Sequence, residues 1–283
     1  MANDQRTWWT RLLGIPGVRL SCVVLLTIVL VALLAPWIVP FDPQLMLDPV
    51  ALRSRNPTWA HPLGTDPYSR DLLSRVMSGA RVSLTLAVSS VMLSTVIGTL
   101  IGLYSGFSGG AIDRLLMRLA DIGLSVPRVL LLLTIVGLWG TPSIAMLIVV
   151  IAATGWMSLG RLVRGEVRAA RREERIVAAR ALGVRESQIV LRHLLPAVVP
   201  LIAVSATLGI GQVLLLESGL SYLGIGVPTP SASWGTILLD VGDVMGPGRW
   251  LAVGPGLVLV ITVLAVHRLG DALQSALEMR QRS

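Results

Sequence analysis

Val177-Ala178-Ala179-Arg180-Ala181-Leu182-Gly183, separated by nine residues from His193-Leu194-Leu195-Pro196, is the stretch of sequence that decides how this chain folds. It lies in an arginine-rich loop, residues 160–195, between two long apolar runs. The composition of the loop predicts one helical stretch that ends at Gly183 and a second that runs from about Glu186 into Pro196. The loop is therefore predicted to hold a short helix between two apolar segments.

The predicted short helix has a small, smooth face. Ala178, Ala179 and Leu182 fall at helical spacing, and their size permits a partner to approach closely. Gly183 is a natural helix end because glycine tolerates a left-handed conformation. Two interpretations follow from the spacing alone. Either the helix docks against a partner, or it is an amphipathic segment that its arginines hold on lipid headgroups.

The composition of the chain is that of an integral membrane protein. Its 283 residues are 53% hydrophobic and 14% charged, with a mean hydropathy of +0.74. A soluble domain usually carries about 25% charged residues. The apolar runs do not alternate and are roughly 20 residues long, as membrane-spanning helices require. The predicted class is therefore an all-α integral membrane protein.

Six membrane spans are predicted, with a break at Gly137–Pro142 between the third and the fourth. A secretory signal peptide is the alternative for the first, but its apolar core exceeds the roughly 7–15 residues of such a segment, so we expect an uncleaved anchor. The spans are residues 20–39, 82–104, 119–138, 142–159, 194–216 and 251–266.

The arginines predict the orientation. With the N-terminus in the cytoplasm, the inside segments carry 17 arginines and the outside segments six. This bias predicts an N-in, C-in topology, and it explains the net charge of +8 without nucleic acid as a partner. The predicted organisation is a cytoplasmic tail 1–19, the first span 20–39, an extracytoplasmic segment 40–81, a core 82–270 that includes an extracytoplasmic loop 223–250, and a cytoplasmic tail 271–283.

Several chemistries are excluded by the residues that the sequence lacks. All 24 basic residues are arginine, and a P-loop needs a lysine on the nucleotide phosphates, so any ATP that drives this protein is expected on another subunit. There is one cysteine, Cys22, and the three histidines are scattered, so we expect no metal site and no cofactor in this chain. No arrangement for catalysis stands out.

Glycines form a stripe along the second predicted span. Gly98, Gly102, Gly106 and Gly110 recur every four residues, and small residues at this spacing let helices pack closely. The stripe either packs within the chain or lies at a sliding seam between subunits.

The loop resembles the EAA motif of permease subunits from binding-protein-dependent ABC transporters. Ala178, Ala179, Gly183, His193 and the Leu-Pro pair at 195–196 stand at the positions of that motif. Val177 replaces the glutamate of the family, which removes any salt bridge that the glutamate would make. In the family this loop is the coupling helix, which fits a groove on the ATPase.

Further motifs resemble the dipeptide, oligopeptide and nickel permeases, on the side of their "C" subunits, and together they extend over nearly the whole chain. These motifs are His61-Pro62-Leu63-Gly64-Thr65-Asp66, Arg70-Asp71, Ser74-Arg75, Arg161-Leu162-Val163-Arg164-Gly165-Glu166, Gly219-Leu220-Ser221-Tyr222-Leu223-Gly224, Ser233-Trp234-Gly235 and Leu269-Gly270-Asp271-Ala272-Leu273.

The resemblance implies a type I ABC importer permease fold in a bacterial cytoplasmic membrane. The implied partners are a homologous second permease in a heterodimer, two ATPase subunits that bind ATP and Mg²⁺, and an extracytoplasmic solute-binding protein. It implies import of dipeptides or oligopeptides, with nickel or a metal chelate as the alternative. The implied coupling residues are Val177, Ala178, Ala179, Leu182, Gly183, His193 and Pro196.

Ionisable residues in or beside the spans are candidates for a translocation path. Arg128, just after Pro127, is one such candidate. Glu217 either contacts a passing cationic group such as a peptide amine or makes structural hydrogen bonds. Asp121 is two turns from Arg128, about 10 Å of rise, so direct pairing is not expected. Asp121 and His267 are expected near the membrane interface.

A stand-alone secondary transporter is the alternative of another class. It needs an ion-coupling site of intramembrane carboxylates or an inverted repeat. The sequence shows no clear repeat, and only Asp121 and Glu217 are candidates for such carboxylates. A membrane enzyme has no catalytic constellation to support it.

Overall fold

Long apolar helices dominate the computed structural model, which describes residues 16–48, 50–140, 142–242 and 249–282. No β-strand occurs in these ranges. The α-helices are α1 Pro16–Ile38, α2 Leu72–Ser108, α3 Gly110–Ser125, α4 Arg128–Trp139, α5 Ile144–Ala170, α6 Glu174–Ala181, α7 Glu186–Ile189, α8 Leu195–Tyr222, α9 Trp234–Gly242 and α10 Val253–Arg282. A π-helical turn, Val190–Leu194, joins α7 to α8, and a 3₁₀ turn, Arg249–Ala252, precedes α10.

Among the described residues, five helical segments are long and apolar enough to cross a membrane, and the bent pair α3–α4 makes a sixth if it counts as one span. Their bounds differ from the predicted spans mainly at the ends. Helix α2 has 37 residues, or about 55 Å, against a hydrocarbon core about 30 Å thick. It begins at Leu72 rather than near 82 because the Asp71 carboxylate accepts a hydrogen bond from the Ser74 amide and caps the helix. The predicted tail 1–19 lies largely outside the described residues.

The third predicted span, 119–138, is not one continuous helix. Helices α3 and α4 meet at an angle of 94°. Pro127 has no N–H to continue the helical ladder, and Val126 before it is extended, with φ −96° and ψ 133°. The proline therefore divides a segment that its apolar composition alone presented as a single crossing, and Arg128 becomes the first residue of a new helix.

Helices α2 and α5 are in close contact along the glycine stripe. A Cβ added at Gly98 would meet the carbonyl oxygen of Trp156 at 3.0 Å, and one at Gly102 would meet Cβ of Val163 at 2.6 Å. At Gly106 the nearest atom would be Cβ of Val167, at 2.7 Å. The stripe thus lies within this chain. Gly110 is outside it, because it lies past the end of α2 with φ +82° and open space beside it.

The main core lies where α2, α5, α8, α9 and α10 meet. Trp234, at the start of α9, is fully buried, and its indole N–H donates to the Val76 carbonyl at 3.1 Å. A second core lies at the other end of α5 and supports the arginine-rich loop. Its fully buried members are Val163, Val167, Ile189, Leu194 and Val198.

Candidate functional site

Helix α6 is the short helix that the loop was predicted to hold, and it ends in a Schellman motif. The Val184 amide donates to the Ala179 carbonyl at 3.1 Å, and the Gly183 amide donates to the Arg180 carbonyl at 3.0 Å. Gly183 has φ +78°, the left-handed conformation that this motif requires. One glycine therefore sets where α6 stops and where the chain turns toward α7.

The two faces of α6 differ in burial. Ile176 is 1% exposed and packs into the core that includes Val167 and Ile189. Val177 is 55% exposed and Leu182 is 85% exposed, with Ala178 beside them. The buried face fixes the helix to α5, whereas the outer face presents aliphatic side chains at the tip of the loop.

His193 and Pro196 lie apart from this tip, at the base of α8. Pro196 cannot donate the backbone hydrogen bond of a regular helix, and the amide of Leu195 reaches back five residues to the Val190 carbonyl. The half-buried His193 lies in this π-helical turn, and its Nδ1 atom has no hydrogen-bond partner among the described residues. The predicted coupling residues therefore separate into an exposed tip at the end of α6 and a base at the start of α8, where His193 is half-buried and Pro196 is exposed.

The sequence did not predict an ion-pair cluster of Asp113, Arg164 and Arg168 that anchors the loop, here called the Asp113 clasp. The buried Asp113 carboxylate, on α3, accepts hydrogen bonds from Arg164 Nε at 2.6 Å and Arg168 Nη2 at 2.7 Å, both on α5. Arg171 donates to the Phe107 carbonyl, and its guanidinium lies 5.3 Å from the centre of the Phe107 ring. The spacing of Arg164 and Arg168, one turn apart, was the available signal that both face one acidic partner.

Glu217 lies inside the subunit. It is 1% exposed, and its carboxylate accepts hydrogen bonds from Ser221 Oγ at 2.7 Å and Ser83 Oγ at 3.4 Å. Ser83 also accepts a hydrogen bond from the Trp234 amide at 3.1 Å. These contacts link α2, α8 and α9. Of the two interpretations of Glu217, the geometry favours structural hydrogen bonding over contact with a passing cation.

Arg128 reaches from the start of α4 to α5. Its Nη2 atom donates to the Ile151 carbonyl at 2.8 Å, and its Nε atom donates to Thr154 Oγ1 at 3.3 Å. Asp121 pairs elsewhere, with Arg161 Nη1 at 2.9 Å. Arg128 and Asp121 are thus separate, as their spacing predicted.

A charge network joins the first long loop, residues 39–71, to α9. Arg70 donates to Asp66 Oδ2 at 2.6 Å and to Asp240 Oδ2 at 2.7 Å, and Arg75 donates to the same two carboxylates. Asp66 is fully buried, and Arg75 is 3% exposed. The sequence motif contained three of these residues, but Asp240, 165 residues beyond Arg75 along the chain, carried no local signal.

The described residues contain no group of three or more His, Cys, Asp or Glu side chains that could hold a metal ion. His61 Nδ1 lies 2.9 Å from Asp71 Oδ1, and His267 Nδ1 lies 2.8 Å from the Val263 carbonyl oxygen. His61 and His267 therefore have separate partners and do not form a shared set of metal ligands.

Family profiles match most of the chain. The profile described as the binding-protein-dependent transport system inner membrane component matches residues 98–283. A second, described as the N-terminal TM domain of oligopeptide transport permease C, matches residues 5–57.

Named relatives are similar over nearly the full chain. A putative peptide permease protein of Brucella suis biovar 1 is 40% identical over 91% of this chain and 85% of its own length. The oligopeptide transport system permease protein OppC of Haemophilus influenzae is 36% identical, over 93% of this chain and 84% of its own length. The nickel transport system permease protein NikC of Escherichia coli K12 is also 36% identical, over 93% and 94%.

One solved structure, an inward facing conformation of the MetNI methionine ABC transporter, has the same fold. Its TM-score is 0.57 at 22% sequence identity, and the match covers 72% of this chain and 97% of that one.

Proposed function

Because this chain belongs to the family of inner membrane components of binding-protein-dependent transport systems, we propose that it is the permease subunit through which an ABC importer moves dipeptides or oligopeptides across the bacterial cytoplasmic membrane. The observation that carries the proposal is the exposed tip of α6, where Val177 and Leu182 project from a loop that the buried side chains of Ile176 and Ile189 anchor to the core. Such a tip is a docking element for a motor that is a separate chain.

The proposed complex has four kinds of protein. This chain pairs with a homologous second permease, two ATPase subunits grip the loops of both permeases, and a solute-binding protein delivers substrate from outside. ATP and Mg²⁺ bind to the ATPase subunits, and this chain performs no catalysis and holds no cofactor. The absence of lysine from the sequence supports this division, because a P-loop needs one.

The proposed orientation places the α6 loop in the cytoplasm, with both termini on the same side. The excess of arginine in the segments on that side supports it. The loop 39–71 and helix α9, which the Asp66–Asp240 charge network joins, then form the surface that faces the solute-binding protein.

Force on α6 would be transmitted through packed contacts. Ile176 packs α6 against α5, and the Asp113 clasp joins α5 to α3. Along the glycine stripe, α5 packs closely against α2. Packed interfaces shift as units rather than deform continuously. A displacement of α6 by nucleotide-driven closure would therefore move α2, α3 and α5 together and switch access to the path between the two permeases.

Peptides are the proposed substrate because relatives named as peptide permeases are similar over about nine-tenths of the chain. Nickel or a metal chelate is the alternative, since the NikC relative matches over a similar extent. In the reconstituted complex, ATPase activity should rise with peptide-loaded binding protein. Stimulation by a nickel-loaded binding protein alone would overturn the peptide assignment.

A further inference from the structure

Arg128 is a charged side chain that packs against the middle of the apolar part of α5, a helix long and apolar enough to span a membrane. Its partners on α5, Ile151 and Thr154, lie seven and ten residues beyond the first residue of that helix. At about 1.5 Å per residue they lie roughly 10 and 15 Å along α5 from its first residue, which is near the centre of the span if the hydrocarbon core, about 30 Å thick, begins there. A cation at this depth faces either protein or a water-filled path.

The described part of the chain gives Arg128 no counter-charge. Its hydrogen bonds go to a backbone carbonyl and a hydroxyl, and no described carboxylate lies within 4.0 Å of the guanidinium. Three other arginines that pack between elements are paired with carboxylates: Arg164 and Arg168 with Asp113, and Arg75 with Asp66. Arg128 is therefore oriented by this chain but not neutralised by it.

The surroundings of Arg128 form a small polar site in an apolar region. Gly155 leaves room for the guanidinium, since a Cβ there would lie 2.9 Å from Nη2 and 3.1 Å from Cβ of Ser94 on α2. Thr154 supplies the hydroxyl that accepts from Arg128 Nε, and the Ser94 hydroxyl lies near Gly155. The side chain is half-buried, and Val126 and Val129 next to it are 39% and 42% exposed. The site therefore opens on a face that this chain leaves uncovered.

The chemistry of the site selects an anion. A guanidinium presents a planar fork of N–H donors that matches a carboxylate, and the Nη1 end has no hydrogen-bond acceptor among the described residues. Every unmodified peptide carries a C-terminal carboxylate, whatever its side chains. A bare divalent metal ion would be repelled by the same charge.

We propose that Arg128 binds the C-terminal carboxylate of the peptide on its way through the membrane. This inference rests on the proposed function, because it requires that the substrate be a peptide. Arg128 would then discriminate within the path, in addition to any selection by the solute-binding protein, and would favour free peptides over amidated ones.

The test uses the complete complex in proteoliposomes. ATP-driven uptake is measured for one peptide with a free carboxylate and for its C-terminal amide, each at a concentration that saturates the binding protein. Wild type is compared with Arg128→Gln, Arg128→Lys and the control Arg118→Gln, an exposed arginine on α3. Comparison of the ratio of the two uptake rates between variants cancels the preference of the binding protein, which is the same in every complex.

Loss of a charge-assisted hydrogen bond predicts that Arg128→Gln lowers uptake of the free peptide about tenfold or more and leaves uptake of the amide nearly unchanged. Arg128→Lys should give an intermediate ratio, because lysine keeps the positive charge without the planar fork of donors. This variant also provides the test if Arg128→Gln fails to assemble. Arg118→Gln should keep the wild-type ratio.

An equal fall for both peptides, as expected if an acidic side chain of the second permease neutralises Arg128, would overturn the inference. An unchanged ratio in both Arg128 variants would do the same. If the assembled wild type imports neither peptide, the proposed function itself fails, and the assignment of Arg128 fails with it.

Discussion

At the residue scale, the two most informative positions are Gly183 and Glu217, because the structure shows why each position needs its residue type. Gly183 supplies a left-handed backbone conformation at the end of α6. Glu217 supplies a buried acceptor for the Ser83 and Ser221 hydroxyls. The first requirement was visible in the sequence, because a glycine follows a helical stretch. The second was not, because the serines come from different helices.

Replacing Gly183 with valine should abolish transport and leave membrane insertion intact. A β-branched residue in the left-handed region costs about 1–2 kcal/mol, enough to refold the turn but not to unfold the spans. Uptake and membrane-fraction abundance are measured together. Gly183→Asn is the matched control, since asparagine tolerates this conformation and should retain most of the uptake. Normal transport in Gly183→Val would contradict the docking role of α6.

Replacing Glu217 should affect stability rather than substrate choice. Glu217→Leu leaves buried hydroxyls without their acceptor, which predicts a loss of about 1–3 kcal/mol, whereas Glu217→Gln keeps an acceptor and should lose less. Thermal unfolding of the detergent-solubilised complex measures both. If either variant keeps the wild-type unfolding temperature but changes the order of preference among peptides, Glu217 lies on the path after all.

At the scale of elements, the pair of helices α2 and α5 behaves as one body because glycine permits contact at backbone distance. A methyl group at Gly102 would clash with Val163 and with the Gly160 carbonyl at 2.8 Å. The four-residue spacing predicted close packing but not the partner. Which helix fills the groove depends on contacts about 60 residues away along the chain, where Val163 and Val167 present matching side chains.

Gly102→Ala should therefore destabilise the subunit by about 1–3 kcal/mol through overpacking. Gly137→Ala is the matched control, because it lies in α4 with open space beside it and should be neutral or slightly stabilising. Thermal unfolding of the two purified variants gives the comparison. Equal unfolding temperatures would mean that the α2–α5 seam is looser than the structure shows.

The break between α3 and α4 is a feature that hydropathy alone did not predict. The run of apolar residues suggested a single third span, but Pro127 removes a backbone donor and forces Val126 out of the helical region. The proline was visible in the sequence; the angle of 94° was not, since it depends on how α4 packs against α5. The bend brings Arg128 against Ile151, a pairing that no local pattern contains.

At the scale of the whole molecule, the sequence predicted the class of fold well, because apolar length and arginine placement are properties that lipid selects directly. Long-range pairings such as Arg75 with Asp240 could not be predicted from the sequence. The orientation remains a prediction, since helix packing is the same whichever side faces the cytoplasm.

Cysteine labelling tests the orientation. In a Cys22→Ser background, Asn56→Cys in the first long loop should react with a membrane-impermeant maleimide in intact spheroplasts. Ser187→Cys in α7 should react only after the membrane is opened. Both positions are exposed in this chain. The reverse pattern would invert the topology.

The central claim is that the tip of α6 docks on a separate ATPase, and a photo-reactive side chain at position 182 tests it most directly. Leu182 is 85% exposed at the end of the helix, so a photo-reactive group there should not disturb the core. In the assembled complex, illumination should cross-link this chain to the ATPase subunit. Cross-links to lipid, with none to the ATPase, would show that the loop lies on headgroups and would contradict the account.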